Sequence, residues 1–182
     1  MNLSCGFSVD WHAPIVPGVS LAAIPLLAPY ADLEVALATH LVDANLLLYK
    51  FNGGPDLRLE KHLLDEYGDG GFLFSLFCGD DGSNMAALSI SIKGWAVRAI
   101  KVYALGEPGD AVTRYSYRGL TAESIGLGSL VSDFIGFTEL YFDEAEEWFY
   151  SQSDYGAIEV TGWGVPLEDE PQQIVTAICV TV

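Results

Sequence analysis

The chain has 182 residues, 51% of them hydrophobic and 18% charged, with 25 acids against 8 bases and a net charge of −17. The apolar content excludes a disordered tail or linker, which lacks the surface to offset its conformational entropy. The charge argues against partners that carry phosphate, whether nucleic acid or anionic lipid, because a field of that sign repels them.

Met1 to Gly6 has no Lys or Arg and no apolar run, so no secretory leader is expected there. Ala13 to Pro29 is the most apolar stretch, but Pro14, Pro17, Pro25 and Pro29 break it too often for a membrane-crossing helix. Tyr30 to Asn45 carries Leu33, Leu37 and Leu41 at helical spacing behind Pro29, with Asp32 and Glu34 in the first turn, and is predicted to be an amphipathic helix. Asn52-Gly53-Gly54-Pro55 is a turn. Asp56 to Tyr67 is predicted as a second helix with Leu59 and Leu63 on one face, closed by a glycine-rich loop over 65–71.

Strands are predicted at Phe72 to Phe77, through Leu88, Ile90 and Ile92 after a turn over 80–84, at Trp95 to Tyr103, and at Ala111 to Tyr117. Ser129 to Phe134 is read as a short helix, and Glu139 to Tyr150 stays open between strands and helix. Ala157 to Thr161 and Ile174 to Val182 are the last strands; the second places Ile174, Thr176, Ile178, Val180 and Val182 on one face. Strands meeting turns directly, with few helices between them, point to an α+β fold: a mainly antiparallel sheet with a few helices on one side. One compact domain over 1–182 is expected.

Two segments share a pattern. In Ile15-Val16-Pro17-Gly18-Val19-Ser20-Leu21 and in Ile125-Gly126-Leu127-Gly128-Ser129-Leu130, an apolar residue is followed three later by Gly and then by Ser-Leu. Phe7 and Tyr117 lie at matching distances upstream. The pattern reads as an internal duplication, roughly 1–116 and 117–182, with Ser20 and Ser129 as helix N-caps.

Cys5, Cys78 and Cys179 are odd in number and far apart, which suits free thiols in a reducing cytoplasm. His12, His40 and His62 form no ligand pair, with His40 and His62 expected on the two helices. Asp65, Asp69, Asp80 and Asp81 miss the calcium-loop spacing. Neither a metal nor another cofactor is expected. Ser83, Ser129 and Ser132 have no nucleophile context, and no Lys follows Gly126-Leu127-Gly128-Ser129 to make a phosphate loop.

The charge is unevenly placed. Residues 50–118 hold all eight bases, whereas residues 119–182 hold twelve acids and no base. The acids there fall in clusters: Glu139, Asp143, Glu144, Glu146 and Glu147; Asp154 and Glu159; Glu168, Asp169 and Glu170. Tyr141, Trp148, Tyr150, Tyr155 and Trp163 are interleaved with them. Carboxylates steer a cationic partner and fix its register, while Tyr and Trp supply anchors. A docking face is therefore expected from Glu139, Asp143, Glu144, Glu146, Glu147, Trp148, Asp154, Tyr155, Trp163, Glu168, Asp169 and Glu170.

In Asp143-Glu144-Ala145-Glu146-Glu147-Trp148 and Glu168-Asp169-Glu170 the chain resembles bacterial immunity proteins. That resemblance implies a small acidic cytoplasmic protein, without catalysis, that blocks a basic toxin domain. Two other readings stay open: an acidic inhibitor that mimics nucleic acid, and a hydrolase using a carboxylate pair such as Glu146 and Glu147.

Overall fold

The computed structural model describes residues 6–77, 84–151 and 155–182. Cys5, Cys78, Asp80, Asp81, Ser83 and Asp154 lie outside the described residues, as does most of the turn expected over 80–84.

The molecule is built on one antiparallel sheet of ten strands. In chain order they are β3 (Leu41–Asp43), β4 (Leu48–Lys50), β5 (Asp56–Leu64), β6 (Gly70–Leu76), β7 (Met85–Lys93), β8 (Ala96–Tyr103), β9 (Leu140–Asp143), β10 (Trp148–Ser151), β11 (Ile158–Thr161) and β12 (Ala177–Thr181). Two short strands, β1 (Ser20–Leu21) and β2 (Ile24–Pro25), form a separate hairpin. The order across the large sheet is β3-β4-β5-β6-β7-β8-β12-β11-β10-β9. A six-stranded meander therefore runs inward from the β3 edge. After a long connection the chain reaches the far edge as β9 and meanders back, until β12 pairs with β8.

The fold is mainly β, which corrects the α+β expectation. Among the described residues the only α-helix is α1 (Tyr30–Ala38), joined by 3-10 helices at Ala111–Tyr115 and Val131–Gly136. Each misread element has a local cause. Asp56 to Tyr67 is strand β5, not helix. A bulge between Leu59 and Lys61 shifts the phase, so Leu57 and Leu59 face the core while Leu63, expected on the same face as Leu59, points to the opposite side. The 30–45 helix stops at Ala38, where Thr39 turns its hydroxyl back onto the Ala36 carbonyl and Leu41 begins a strand.

Ala111 to Tyr117 leaves the sheet. The Leu105 N–H donates to Ser116 Oγ and the Trp11 indole donates to the Tyr115 carbonyl, so this segment is tied to the N-terminal loops. Ser20 and Ser129 cap no helix: Ser20 lies in β1, α1 starts after Pro29, and Ser129 Oγ accepts from the Gly126 N–H. His62 is in β5, stacked 4.3 Å from Phe72, and His40 follows α1.

One face of the sheet carries the core. Phe74, Leu88, Ile90, Ile100, Val102, Ile178, Val180, Val160 and Phe149 belong to one buried cluster with Trp11, Ile15, Leu21 and Ile24, with Leu33 and Leu37 of α1, and with Val131 and Phe134. Among the described residues no helix packs on the opposite face. There the sheet is closed locally by side chains. Lys101 of β8 sets its ammonium 4.0 Å from the ring centroid of Trp148 on β10, reaching across β12 and β11. Beneath that pair, Ala177 and Cys179 are each only 3% exposed. Strand β12 is thus buried on both faces, where the alternation in its sequence suggested one, and Val182 is exposed beyond its end.

Candidate functional site

The segment left open between helix and strand, 139–150, is the β9–β10 hairpin at one edge of the sheet. Alternation sorts its side chains. Phe142 and Phe149 pair across the strands at 4.8 Å on the core face. Tyr141 and Tyr150 pair on the outer face at 5.6 Å, stacked and exposed. Asp143, Glu144, Glu146 and Glu147 form the exposed tip, and Glu139 lies just before β9. The Tyr141 hydroxyl donates to Glu139 Oε2 at 2.6 Å, and that bond to a carboxylate pushes the phenol pKa upward.

The tip is ordered by its own residues. Asp143 Oδ1 accepts from the backbone N–H of Ala145 at 2.8 Å and of Glu146 at 3.2 Å. Glu147 takes the left-handed conformation at φ 60°. Its carbonyl accepts from Thr161 Oγ1, and its carboxylate lies against Gly164.

This places the tip beside the loop that leads to the third acidic group, Glu168 to Glu170. Gln173 is fully buried and organises the 163–170 loop: its Oε1 accepts from the Trp163 N–H, and its Nε2 donates to the Val165 and Glu170 carbonyls. Trp163 is 54% exposed, and Glu168, Asp169 and Glu170 project from a turn anchored on the Pro166 carbonyl. The hairpin tip, Trp163 and the 168–170 acids therefore share one end of the β9–β12 region.

Two expected members sit elsewhere. Tyr155 lies at the opposite end of β10 and β11, packed against the core, with its hydroxyl donated to the Glu123 carboxylate. Burial and that bond raise its pKa to about 12, and the same bond lowers that of Glu123. Trp148 is half-buried under Lys101 and roofs β12.

Sequence reasoning passed over Tyr141 and Tyr150 as site residues. They were findable as a Leu-Tyr-Phe-Asp and Trp-Phe-Tyr-Ser alternation around an acidic turn. Ile135 and Phe137, exposed at 58% and 54%, precede Glu139 in the chain.

None of three clefts on the described surface is lined by two carboxylates. One between the 104–108 and 174–176 segments has Glu107, one beside the Asn52–Pro55 turn has Asp56, and one over Gly70 and Gly71 has none. Among the described residues no group of three or more His, Cys, Asp or Glu converges as a metal site. No helix among them is long and apolar enough to cross a membrane.

No protein-family model matches the chain, and no curated protein matches it. A solved structure of a cysteine-rich secretory protein from Staphylococcus aureus aligns with 96% of this chain at 9% identity and a TM-score of 0.37. The aligned region spans 50% of that protein, so this chain corresponds to about half its length.

Proposed function

We propose that the protein is a non-catalytic binding protein that docks a basic protein through its β9 edge, as an immunity protein docks a toxin domain. The observation that supports this reading is the composition of that edge. Glu139, Asp143, Glu144, Glu146 and Glu147 are exposed around the stacked Tyr141–Tyr150 pair, with Glu168, Asp169 and Glu170 at the same end as the hairpin tip. Among the described residues no ion pair involves any of these acids. Their field extends about 8 Å at physiological salt, enough to orient an approaching cationic surface. The tyrosines offer flat, amphipathic contact area at little cost in side-chain entropy. In this reading the carboxylates occupy Lys and Arg residues with which the partner holds its own anionic substrate.

The test begins with capture of the partner from the source organism and identification by mass spectrometry. Glu139, Glu144, Glu146 and Glu168 are then changed to Gln and Asp169 to Asn; Asp143 is kept because it holds the turn. The expected result is a basic toxin domain whose activity the native chain blocks. Association should slow at least tenfold in the variant and should slow with added salt in the native chain. A partner with no excess of Lys and Arg, or one bound equally well by the variant, would sink the proposal.

A further inference from the structure

We propose that the cleft between the Asn52–Pro55 turn and the 111–118 segment binds a small organic anion, whose phosphate or carboxylate head is held by Arg114 and Arg118. This site lies apart from the acidic edge and does not depend on the function proposed for it.

The first observation is a local reversal of charge. The chain carries 25 acids and 8 bases, yet this cleft is lined by Lys50, Arg114, Arg118 and His12, with Asp56 as its one carboxylate. Lys50 Nζ already meets Asp56 Oδ1 at 3.0 Å, which neutralises both. Among the described residues neither arginine has a carboxylate partner.

Both guanidinium groups bond instead to neutral oxygens. Arg114 donates to the Tyr115 hydroxyl at 2.8 Å, and Arg118 donates to the Arg114 carbonyl at 2.8 Å. Each bond takes one of five N–H donors and leaves the charge uncompensated. Both arginines line the same cleft, so one anion there meets two uncompensated charges. Guanidinium forks match carboxylate and phosphate oxygens bidentately.

The second observation is that the site is held in place. Arg114 stacks on the Tyr115 ring, its Cζ 4.7 Å from the centroid. The Arg118 N–H donates to the Trp11 carbonyl, and the Trp11 indole N–H donates to the Tyr115 carbonyl. Trp11 is 1% exposed and anchored in the core, so the backbone carrying both arginines is fixed by a buried side chain.

The third observation is shape. The cleft encloses about 660 Å³ and its walls include Leu76, Phe77 and Val112. That is more room than a bare phosphate fills, and these three side chains give a ligand's apolar body a surface to rest on behind its charged head.

Phenyl phosphate, benzoate and inorganic phosphate are the probes, titrated at low ionic strength into the full chain and followed by amide chemical shifts and calorimetry. Phenyl phosphate or benzoate should saturate a single site, and whichever binds tighter identifies the head group. Inorganic phosphate should bind at least tenfold more weakly than phenyl phosphate. Shifts should cluster at 50–56 and 111–118. R114Q/R118Q should lower affinity at least tenfold, while K93Q/R98Q, which removes two cations outside the cleft, should leave it unchanged. Failure of both aromatic probes to saturate, or shifts centred elsewhere, would overturn the proposal, and the shift map needs no variant that folds. Equal losses in the two double variants would reduce the effect to net charge and overturn it as well.

Discussion

Asp43 and Asp143, one hundred residues apart, do the same work at opposite edges of the sheet. Asp43 Oδ1 accepts from the Asn45 and Leu46 N–H groups at 2.8 and 3.1 Å, as Asp143 Oδ1 does from Ala145 and Glu146. Each side chain closes the hairpin that follows a helix, and in each turn a non-glycine residue sits at positive φ: Leu47 at 51° and Glu147 at 60°. Only the exposed tips differ, apolar at Leu46 and Leu47 and acidic at Glu144, Glu146 and Glu147.

Asp43→Ala and Asp143→Ala should each cost about 1 kcal/mol, since two backbone donors lose their acceptor. Asp143→Asn should cost little, because its carbonyl oxygen accepts the same bonds. Leu47→Gly should stabilise by about 1 kcal/mol, as the left-handed conformation is strained for a side chain that is 45% exposed and buries little. Urea unfolding of the four variants checks the set; equal stability of Asp143→Ala and Asp143→Asn would refute the role given to the carboxylate.

Gln173 is the most consequential polar residue of the candidate site. It is fully buried and makes three hydrogen bonds to loop backbone. Gln173→Leu keeps the volume but strands the Trp163 N–H and two carbonyls, and should cost about 3 kcal/mol. Hydrogen exchange over 162–170 should accelerate more than in β6 or β7. Uniform acceleration would mean the loop is not organised by this side chain.

Alkaline pH should destabilise the fold through Cys179. Burial, together with Glu159 beside it, pushes the thiol from an ordinary 9.0 to about 12. Between those values the folded state keeps a proton that the unfolded state has lost. Stability is therefore complete below pH 9 and declines as pH rises toward 12, by roughly 1.4 kcal/mol per pH unit. Tyr117, raised by burial from 10.0 to about 12, adds the same sign of dependence above pH 10. Cys179→Ala should flatten the slope between pH 9 and 10; an unchanged slope in reductant-containing urea titrations would contradict this assignment.

Gly71 is needed for its lack of a side chain. It sits at φ 158°, and a Cβ there would lie 2.2 Å from the Ile90 carbonyl oxygen. Gly71→Ala sets a methyl against backbone in the middle of the β5–β6–β7 sheet and should cost on the order of 3 kcal/mol or more. A melting temperature within a degree or two of the native chain would show that the strands can part to admit it.

The acidic cluster was legible in the sequence because charge is a sum over residues and needs no coordinates. The strands through Phe72, Leu88, Trp95 and Ile158 were legible too, from a continuous apolar run at Phe72 to Phe77 and from alternation at Leu88, Ile90 and Ile92. The β5 reading failed because a bulge breaks the period of two, and Leu59 and Leu63 then mimic one helical face. Ala111 to Tyr117 failed because its partners, Trp11 and Leu105, are not its neighbours in sequence.

What the sequence determined by itself was composition: an apolar chain with twelve acids and no base over its last 64 residues. Tertiary structure decided which of those acids lie together. It gathered the 143–147 tip with Trp163 and the 168–170 turn, and set Tyr155 at the far end of β10 as a partner of Glu123. It also brought Lys101 from the first meander onto Trp148, because β12 pairs with β8 and joins the two meanders into one sheet. The physical reason is that pairing across strands is fixed by burial of a shared face. Which strand lies beside which depends on contacts far apart in the chain, and no local pattern contains them.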